Sequence, residues 1–360
     1  MSMPADQRES GDQRDWRFDV ERDLICVADR DGQFVTLNMA WETVLGWPRD
    51  ELLKRRYTDL VHPADIDRTA AAAGGAANDG ERLVDFENRC RHRDGSYRWL
   101  RWSARSDGEQ WFAVAFDITA HKQREDEVRR LLAGDNLLAY GQPIVDLRTD
   151  RVEHEELLVR MRGEGGEAIV PGQFLPEVEE LGLVGVVDTW MLERAIEAAH
   201  AGATAVHVNL SQRTLGSPEL VERIHEIVAA GSDVAPRLVF EITETAAVET
   251  LEAARNLIAP LLPLGCRFAL DDFGTGYGSL TYLRHLPVRF VKIDIRFVRH
   301  LLRNPEDQAL VRSVVALAGE LGLETIAEGV ENEPTLEALR EYGVDFVQGY
   351  VIGRPAPLDP

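Results

Sequence analysis

Six short apolar runs in the second part of the chain each end in a polar or ionisable side chain. Helix-like segments separate these runs, and this alternation predicts parallel βα units. The carboxyl ends of parallel strands meet at one mouth when the sheet closes into a (β/α)₈ barrel. We therefore expect the polar side chains to gather at the mouth of one TIM-like barrel. They are Asn209, Glu241, the neighbours Asp271 and Asp272, Lys292, Glu328 and Gln348.

An earlier strand, predicted near residues 152–161, adds two side chains to the same mouth. Alternate positions of a strand share a face, so Glu156 and Arg160 point the same way. Leu157 lies on the opposite face, and we expect it to pack against the helix layer.

Five carboxylates and one asparagine therefore meet at one predicted rim. Any one of them alone is explained as a capped strand end or a surface charge. Together they repel one another, which raises their pKa values and destabilises the fold unless cations lie among them. All are hard oxygen ligands, which favours Mg²⁺ or Mn²⁺ over zinc. Asp271 and Asp272 can serve two ions, and two closely spaced metals suit in-line displacement at phosphorus.

The N-terminal part of the chain has a different pattern. Residues 16–120 contain short strand-like runs separated by Asp-Gly turns, which predicts an α+β domain with an antiparallel sheet and short helices. Residues 1–15 are predicted to be a disordered tail, and the mostly charged segment 121–135 is predicted to be a linker helix. The barrel is expected to occupy residues 136–360.

Charge and cysteine content exclude several functions. The chain has 40 basic and 62 acidic residues, for a net charge of −22, whereas proteins that grip nucleic acid need a positive surface. The aromatic and basic residues at 91–102 are better explained by a half-solvated hairpin than by single-strand binding. Three dispersed cysteines predict no disulfide framework. With no signal peptide and no membrane-spanning run, we expect no membrane insertion and a cytoplasmic location.

Eight motifs between residues 137 and 357 resemble the EAL family of cyclic di-GMP phosphodiesterases, in the order that the family shows. Members of that family hydrolyse one phosphodiester bond of the cyclic dinucleotide and give linear pGpG. The motifs occupy residues 142–146, 156–160, 208–211, 241–244, 271–277, 292–294, 327–331 and 348–350.

The resemblance implies two metal ions, Mg²⁺ or Mn²⁺. One would be held by Glu156, Asn209, Glu241 and Asp271. Asp271 would bridge to the second ion, whose other ligands would be Asp272 and Glu328.

The resemblance also implies roles around the metals. Lys292 would lie beside the nucleophilic water, and Gln348 would orient water. Arg160 and Gln142 would contact the substrate, Arg160 through forked donors that suit phosphate. Glu244 would anchor the glycine-rich loop that begins at Asp272.

The chain departs from the family pattern at three places. The usual Glu-Ala-Leu is Glu-Leu-Leu, and since Leu157 points away from the mouth, this change concerns packing. The usual Trp after the Arg is Met161, and a different segment, 163–168, replaces the common His-Pro, which alters the expected substrate wall. Residues 277–279 read Tyr-Gly-Ser instead of Tyr-Ser-Ser. No metal ligand is lost.

Residues 16–120 resemble a PAS sensor domain. His62 belongs to a His-Pro turn common in such sensors, so haem ligation is disfavoured, and no flavin-type reactive cysteine motif is present. Cys26 and Cys90 are predicted to be core residues, and the sequence does not identify a PAS ligand. The features that carry the resemblance lie at 23–25, 31–32, 38–41, 45–47, 62–65, 94–100 and 117–119.

The expected function is therefore cyclic di-GMP hydrolysis under PAS control, in a homodimer. One alternative is a catalytically silent receptor that binds cyclic di-GMP, although such a protein should have lost ligands that this chain keeps. Another is a metal-dependent barrel lyase or glycosidase with paired carboxylates.

Overall fold

The chain divides into two compact units, Met1–Glu127 and Val128–Pro360. The structure is a computed structural model. The predicted tail 1–15 and residues 275–279 of the glycine-rich segment lie outside the part that it describes. The described residues are 22–79, 82–202, 204–274 and 286–358.

The N-terminal unit contains a five-stranded antiparallel sheet in the order β2-β1-β5-β4-β3. The predicted Asp-Gly turns join antiparallel strands, because β1 pairs with β2 and β3 pairs with β4. The strands are β1 (Leu24–Asp29), β2 (Phe34–Leu37), β3 (Leu83–Arg91), β4 (Tyr97–Ser106) and β5 (Gln110–Asp117). The helices are Ala40–Leu45, Arg49–Leu52, Ile66–Asp79 and Thr119–Ala133, with short 3₁₀ turns at Tyr57–Leu60 and Pro63–Asp65.

The core of this unit follows from the alternation of its strands. In β1, Leu24, Cys26 and Ala28 are buried, and the residue that follows each of them is partly exposed. Trp41 is fully buried and its indole N–H donates to the Ile25 carbonyl at 3.0 Å, so its one polar atom is satisfied. Gly32 adopts a φ of 82°, and a Cβ there would lie 2.7 Å from the Tyr57 ring. Only glycine fits this Asp-Gly turn without strain.

The C-terminal unit is a closed eight-stranded barrel. Seven neighbouring strands are parallel, as predicted, whereas the first strand, β6, runs antiparallel to both of its neighbours, β7 and β14. The sequence pattern did not indicate this reversal. The barrel strands are β6 (Leu137–Asp146), β7 (Arg151–Arg162), β9 (Ala205–Leu210), β10 (Leu238–Thr243), β11 (Arg267–Phe273), β12 (Phe290–Ile293), β13 (Glu324–Ala327) and β14 (Phe346–Gln348). The short strands β8 (Ala168–Ile169) and β15 (Ala356–Pro357) extend the sheet beside β7 and β6.

Helices pack around the outside of the barrel. Helix Pro218–Ala230 buries Val221, Ile224 and Val228 on one stripe, the spacing of an amphipathic helix. The helices are Pro171–Glu180, Val184–Ala201, Gln212–Leu215, Pro218–Ala230, Glu244–Glu249, Leu251–Leu261, Ile295–Val298, Pro305–Leu321 and Glu333–Glu341, with 3₁₀ turns at Ala235–Arg237 and Leu262–Leu264.

The barrel interior has an apolar layer beneath the mouth. Seven of the eight barrel strands contribute an apolar side chain to it. A second, larger apolar core lies between the strands and the helices, and Leu157 belongs to it, as predicted. The inner layer closes one end of the barrel, so the polar side chains lie toward the other end. Its members are Ile144, Ala205, Val239, Ala269, Phe290, Ile326 and Phe346.

The predicted linker is helical from Thr119 to Ala133 and starts two residues earlier than expected. Asp117 Oδ1 accepts a hydrogen bond from the Thr119 amide at 2.9 Å, which satisfies a free N–H of the first turn. In the N-terminal unit, Lys122 pairs with Glu87 at 2.9 Å. Among the described residues, no helix is both long enough and apolar enough to span a membrane.

We predict that Asp65→Asn destabilises the N-terminal unit by about 2 kcal/mol at pH 7. The buried Asp65 carboxylate accepts two hydrogen bonds from the Arg89 guanidinium, at 2.9 and 2.8 Å, and one from its amide. These hydrogen bonds lower the Asp65 pKa to about 2. Because the pKa is depressed on folding, the stabilisation is complete above the unfolded value near about 4 and disappears as the pH falls through 2.

Urea denaturation followed by tryptophan fluorescence measures this effect, with exposed Asp67→Asn as the control for loss of charge. The difference in urea midpoint between the Asp65→Asn and Asp67→Asn variants should shrink as the pH is lowered from 7 to 3. Equal urea midpoints at pH 7 would contradict the prediction.

Candidate active site

Helix caps set where the strands end at the mouth. Two residues after Asn209, the Ser211 side chain accepts a hydrogen bond from a helix N–H, and Thr243 does the same two residues after Glu241. Asp294 likewise caps a helix two residues after Lys292. Because a capping residue begins a helix, the strand must stop there. The preceding inward-facing residue is therefore held at the rim.

Lys292 lies at the centre of the site and is fully buried. Its Nζ lies 2.6 Å from Glu241 Oε2, 2.6 Å from Glu328 Oε1 and 3.2 Å from Glu156 Oε2. Asp271 Oδ1 is 3.5 Å away. Four carboxylates, from β7, β10, β11 and the residue after β13, thus converge on one ammonium.

The pKa values of these groups record the crowding of charge. Burial opposes the charged form of Lys292, but the surrounding carboxylates, Asp271 first, outweigh it and raise its pKa well above the ordinary value. Burial and the neighbouring Glu156 raise the Glu241 pKa well above its usual range. Burial raises the Glu328 pKa to about 8. For Glu156, burial is outweighed by Lys292 and by hydrogen bonds, and its pKa is lowered.

Amide side chains hold Glu156 from both sides of its carboxylate.

 Asn209 Nδ2 donates to Glu156 Oε1 at 2.8 Å, and Gln348 Nε2 donates to Glu156 Oε2 at 2.8 Å. Gln348 Nε2 also donates to Gln142 Oε1 at 3.1 Å. Gln348 Oε1 is buried, and no described group donates to it. This acceptor is suited to a water molecule.

A β-bulge brings the adjacent residues Asp271 and Asp272 to the same side. Neighbours in a regular strand point to opposite faces, but the β11–β12 register slips between Leu270 and Phe273. Asp272 adopts a left-handed φ of 54°, a costly conformation for a residue other than glycine. Asp271, Asp272 and Glu328 consequently place ligand oxygens within 4.8 Å of one another. This acidic cluster is close enough to share one cation.

The remaining predicted residues are held by contacts with neighbouring elements. Glu244 is buried and its Oε2 accepts a hydrogen bond from the Gly274 amide at 2.9 Å, which ties the helix after β10 to the residue following β11. Gln142 Nε2 donates to the Gly353 carbonyl at 3.1 Å. Arg160 lies with its guanidinium 5.5 Å from the Tyr140 ring centre.

Sequence reasoning missed three buried residues beside the site. His207 Nδ1 lies 2.6 Å from Glu241 Oε1, and His154 Nδ1 lies 2.7 Å from His207 Nε2. Asp294 hydrogen-bonds Asp272, and together with burial this contact raises the Asp272 pKa to about 6. A signal for the histidines was available, because each lies two residues before a predicted ligand and so shares its face.

Comparison with known families fits this arrangement. The family model of the EAL domain matches residues 125–355, and that of the PAS fold matches residues 34–111. The chain belongs to the EAL family, with a PAS domain before the EAL domain.

Curated relatives of the EAL domain include cyclic di-GMP phosphodiesterases. PdeF of Escherichia coli is 34% identical over 65% of this chain, and PdeB of Shewanella oneidensis is 35% identical over 64%. Protein y4lL of Sinorhizobium fredii is 33% identical over 94% of this chain. The matches cover 32%, 28% and 38% of those relatives, so the chain spans about a third of their length.

Solved EAL structures match the barrel closely. The PaMucR phosphodiesterase in complex with c-di-GMP is 33% identical, with a TM-score of 0.60, and covers 65% of this chain and 98% of that structure. The EAL domain of FimX from Pseudomonas aeruginosa, bound to c-di-GMP, is 29% identical with a TM-score of 0.61, and covers 65% and 96%.

The PAS domain encloses an apolar cavity, which Cys26 and Cys90 line. Both thiols are buried, as predicted, and burial raises the pKa of Cys26 to about 12. Asn88 also lines the cavity, and its Oδ1 accepts a hydrogen bond from Trp102 at 2.7 Å. His62 does not line it; its Nδ1 accepts from the Ala64 amide, as a turn residue does.

We predict that Lys292→Met lowers the free energy of unfolding of the EAL domain by about 3–5 kcal/mol in chelator at neutral pH, since breaking a buried ion pair leaves uncompensated charge. The loss should shrink as the pH is lowered from 9 to 6, through the raised Glu328 pKa of about 8, because protonation removes part of the repulsion among the carboxylates. Thermal and urea unfolding followed by far-ultraviolet circular dichroism measures it. Exposed Lys54→Met is the control, and equal stability of the two variants would contradict the role of Lys292.

Proposed function

We propose that this chain hydrolyses cyclic di-GMP to linear pGpG, with Mg²⁺ or Mn²⁺, under control of its PAS domain. The observation that carries the proposal is the convergence of four carboxylates on Lys292, beside the acidic cluster of Asp271, Asp272 and Glu328. Relatives named as cyclic di-GMP phosphodiesterases support it. Family membership favours phosphodiester chemistry over the lyase and glycosidase alternatives.

The donor set fits two divalent cations. The site has five carboxylates and one ammonium, a formal charge of −4, which two divalent cations would neutralise. Oxygen donors suit Mg²⁺ and Mn²⁺. When bound, such cations lower the pKa of water and stabilise charge on phosphate. The proposed ligands are Glu156, Asn209, Glu241 and Asp271 for one ion, and Asp271, Asp272 and Glu328 for the other.

The proposed reaction replaces one P–O3′ bond with a bond from phosphorus to a water oxygen. The water loses a proton, and the departing 3′ oxygen gains one. Lys292 is positioned to offset negative charge beside the attacking oxygen, and the buried Gln348 Oε1 can accept a hydrogen bond from that water. Arg160 would hold a phosphate through its forked N–H groups. Glu244 would hold the Gly274 amide at the end of β11.

A silent receptor is the second candidate function. The FimX EAL domain is described as bound to c-di-GMP, so a domain of this fold binds the dinucleotide. This chain keeps every proposed ligand and Lys292, which favours catalysis. Incubation with cyclic di-GMP and Mg²⁺ or Mn²⁺, followed by chromatography for pGpG, separates the two. Tight binding without product after long incubation would assign the chain to the receptors.

We predict that Asp271→Asn lowers turnover by several orders of magnitude, because it removes one negative charge and a shared ligand oxygen. Binding of cyclic di-GMP should survive through Arg160 and the other contacts. Exposed Glu222→Gln, which also loses one charge, should keep the parent rate. The measurement is pGpG formation beside equilibrium binding. Ca²⁺, which prefers longer bonds and more ligands, should permit binding and block hydrolysis. Full activity in Ca²⁺ alone would refute the two-metal assignment.

A homodimer with PAS control is also part of the proposal. The helix Thr119–Ala133 joins the two domains, and seven of its fifteen residues are charged. Val128 and Leu132 on this helix pack in the barrel core, while Lys122 pairs within the PAS unit.

The three cysteines are buried and free, as a reducing cytoplasm would keep them.

We predict that inserting one alanine after Glu127 changes turnover more than it changes folding, because one residue turns a helix by about 100°. A seven-residue insertion adds about two turns and restores the phase, so it should return activity toward the parent value. Turnover and melting temperature are measured for both variants, and the oligomeric state by light scattering. A turnover that is unchanged by both insertions would show that the PAS domain does not control the barrel through this helix.

A further inference from the structure

Two buried histidines form a chain of hydrogen bonds that ends on Glu241. His207 is fully buried and His154 nearly so. Their ring nitrogens lie 2.7 Å apart, and His207 Nδ1 lies 2.6 Å from Glu241 Oε1. The other oxygen of Glu241 accepts from Lys292 at 2.6 Å. Both oxygens of this carboxylate are therefore held.

His154 stands where the barrel otherwise has an apolar residue. In the sheet register it lies opposite Ile144 on β6 and Ala205 on β9, both members of the inner apolar layer. Its ring packs against Phe290 and Phe346, with centroids 5.1 and 5.0 Å away. An imidazole in such surroundings is costly unless its polar atoms are paired. The contact with His207 provides that pairing.

The pairing restricts the tautomers of both rings. A neutral imidazole has one N–H, so each ring in this hydrogen-bonded chain donates to one partner and accepts from another. When Glu241 is ionised, as a ligand of a cation would be, its Oε1 only accepts, so His207 donates from Nδ1 and accepts at Nε2. His154 must then donate from its own Nδ1. The direction of the whole chain follows from the charge on Glu241.

We propose that His207 and His154 are positioning residues for Glu241. His207 holds Oε1, so that the carboxylate presents Oε2 to the centre of the site, and His154 keeps His207 in the donating tautomer. This inference rests on the proposed function, because it concerns how a proposed metal ligand is oriented. Hydrogen-bond partners of ligands commonly change metal affinity by about 10–100-fold when removed.

Three variants of the full chain test the proposal. His207→Leu removes the donor at similar volume, whereas His207→Asn keeps an N–H donor at the place of Nδ1. His154→Phe keeps an aromatic ring between Phe290 and Phe346 but removes the donor to His207. After removal of cations by a chelator, Mn²⁺ affinity is measured by electron paramagnetic resonance of free Mn²⁺. The kcat and KM for cyclic di-GMP and the melting temperature are measured in parallel.

We expect His207→Leu to weaken Mn²⁺ binding and lower kcat by about 10–100-fold each, with KM nearly unchanged. His207→Asn should recover both values to within a few-fold of the parent. His154→Phe should show a smaller loss than His207→Leu. A His207→Leu variant within twofold of the parent in Mn²⁺ affinity and kcat would overturn the proposal. Equal impairment of His207→Asn and His207→Leu, with equal loss of melting temperature, would also overturn it, because that result describes packing alone.

The Mn²⁺ titration separates this inference from the proposed function. A parent protein that binds Mn²⁺ but forms no pGpG would refute hydrolysis, and the Mn²⁺ affinities of the variants would still decide the role of His207. A parent protein that binds no Mn²⁺ would refute both.

Discussion

The burial of Lys292 among carboxylates is the interaction on which the active centre depends. One ammonium without solvent contact holds Glu156, Glu241 and Glu328 at 2.6–3.2 Å. In a low-dielectric interior these charges would be unstable if any partner were missing. The acids outnumber the base, and burial together with neighbouring carboxylates raises the pKa values of Glu241 and Glu328. The same imbalance makes the centre suited to divalent cations.

The barrel supplies this arrangement through simple local devices. Capping side chains such as Ser211 and Thr243 end the strands two residues after the ligands, so each ligand lies at the rim. A bulge and one left-handed residue, Asp272, allow two adjacent acids to face the same cluster. Glu244 then holds the chain beyond the bulge through Gly274. Local strain at Asp272 is compatible with a stable fold because its surroundings fix it from several sides.

The PAS domain contributes a different kind of chemistry. Its cavity is lined mainly by apolar side chains, and Asn88 within it hydrogen-bonds Trp102 and Thr69. On the same strand, β3, Glu87 pairs with Lys122 of the linker helix at 2.9 Å. The successive residues Glu87 and Asn88 of β3 thus point to opposite faces of the sheet.

The sequence alone predicted the main features of fold and site. Strand-like runs separated by Asp-Gly turns predicted the antiparallel PAS sheet, and apolar runs with polar ends predicted the barrel strands. Both predictions were possible because the burial of a strand face depends on the local sequence pattern. The positions of Glu241, Lys292 and Glu328 at strand ends followed from the same pattern. The ligand roles themselves stay predictions, since they come from the family resemblance.

Only the tertiary structure decided the contacts between distant strands. The antiparallel first strand, the bulge beside Asp272, and the chain from His154 through His207 to Glu241 were not readable in the sequence. The two histidines share a strand face with the proposed ligands Glu156 and Asn209, yet nothing in the local sequence indicates which residue each histidine contacts. Strand register and the stagger of a closed barrel set those pairings, and both depend on how the whole sheet closes. Residue type and spacing therefore determined which side chains reach the interior, while closure of the barrel determined which of them meet.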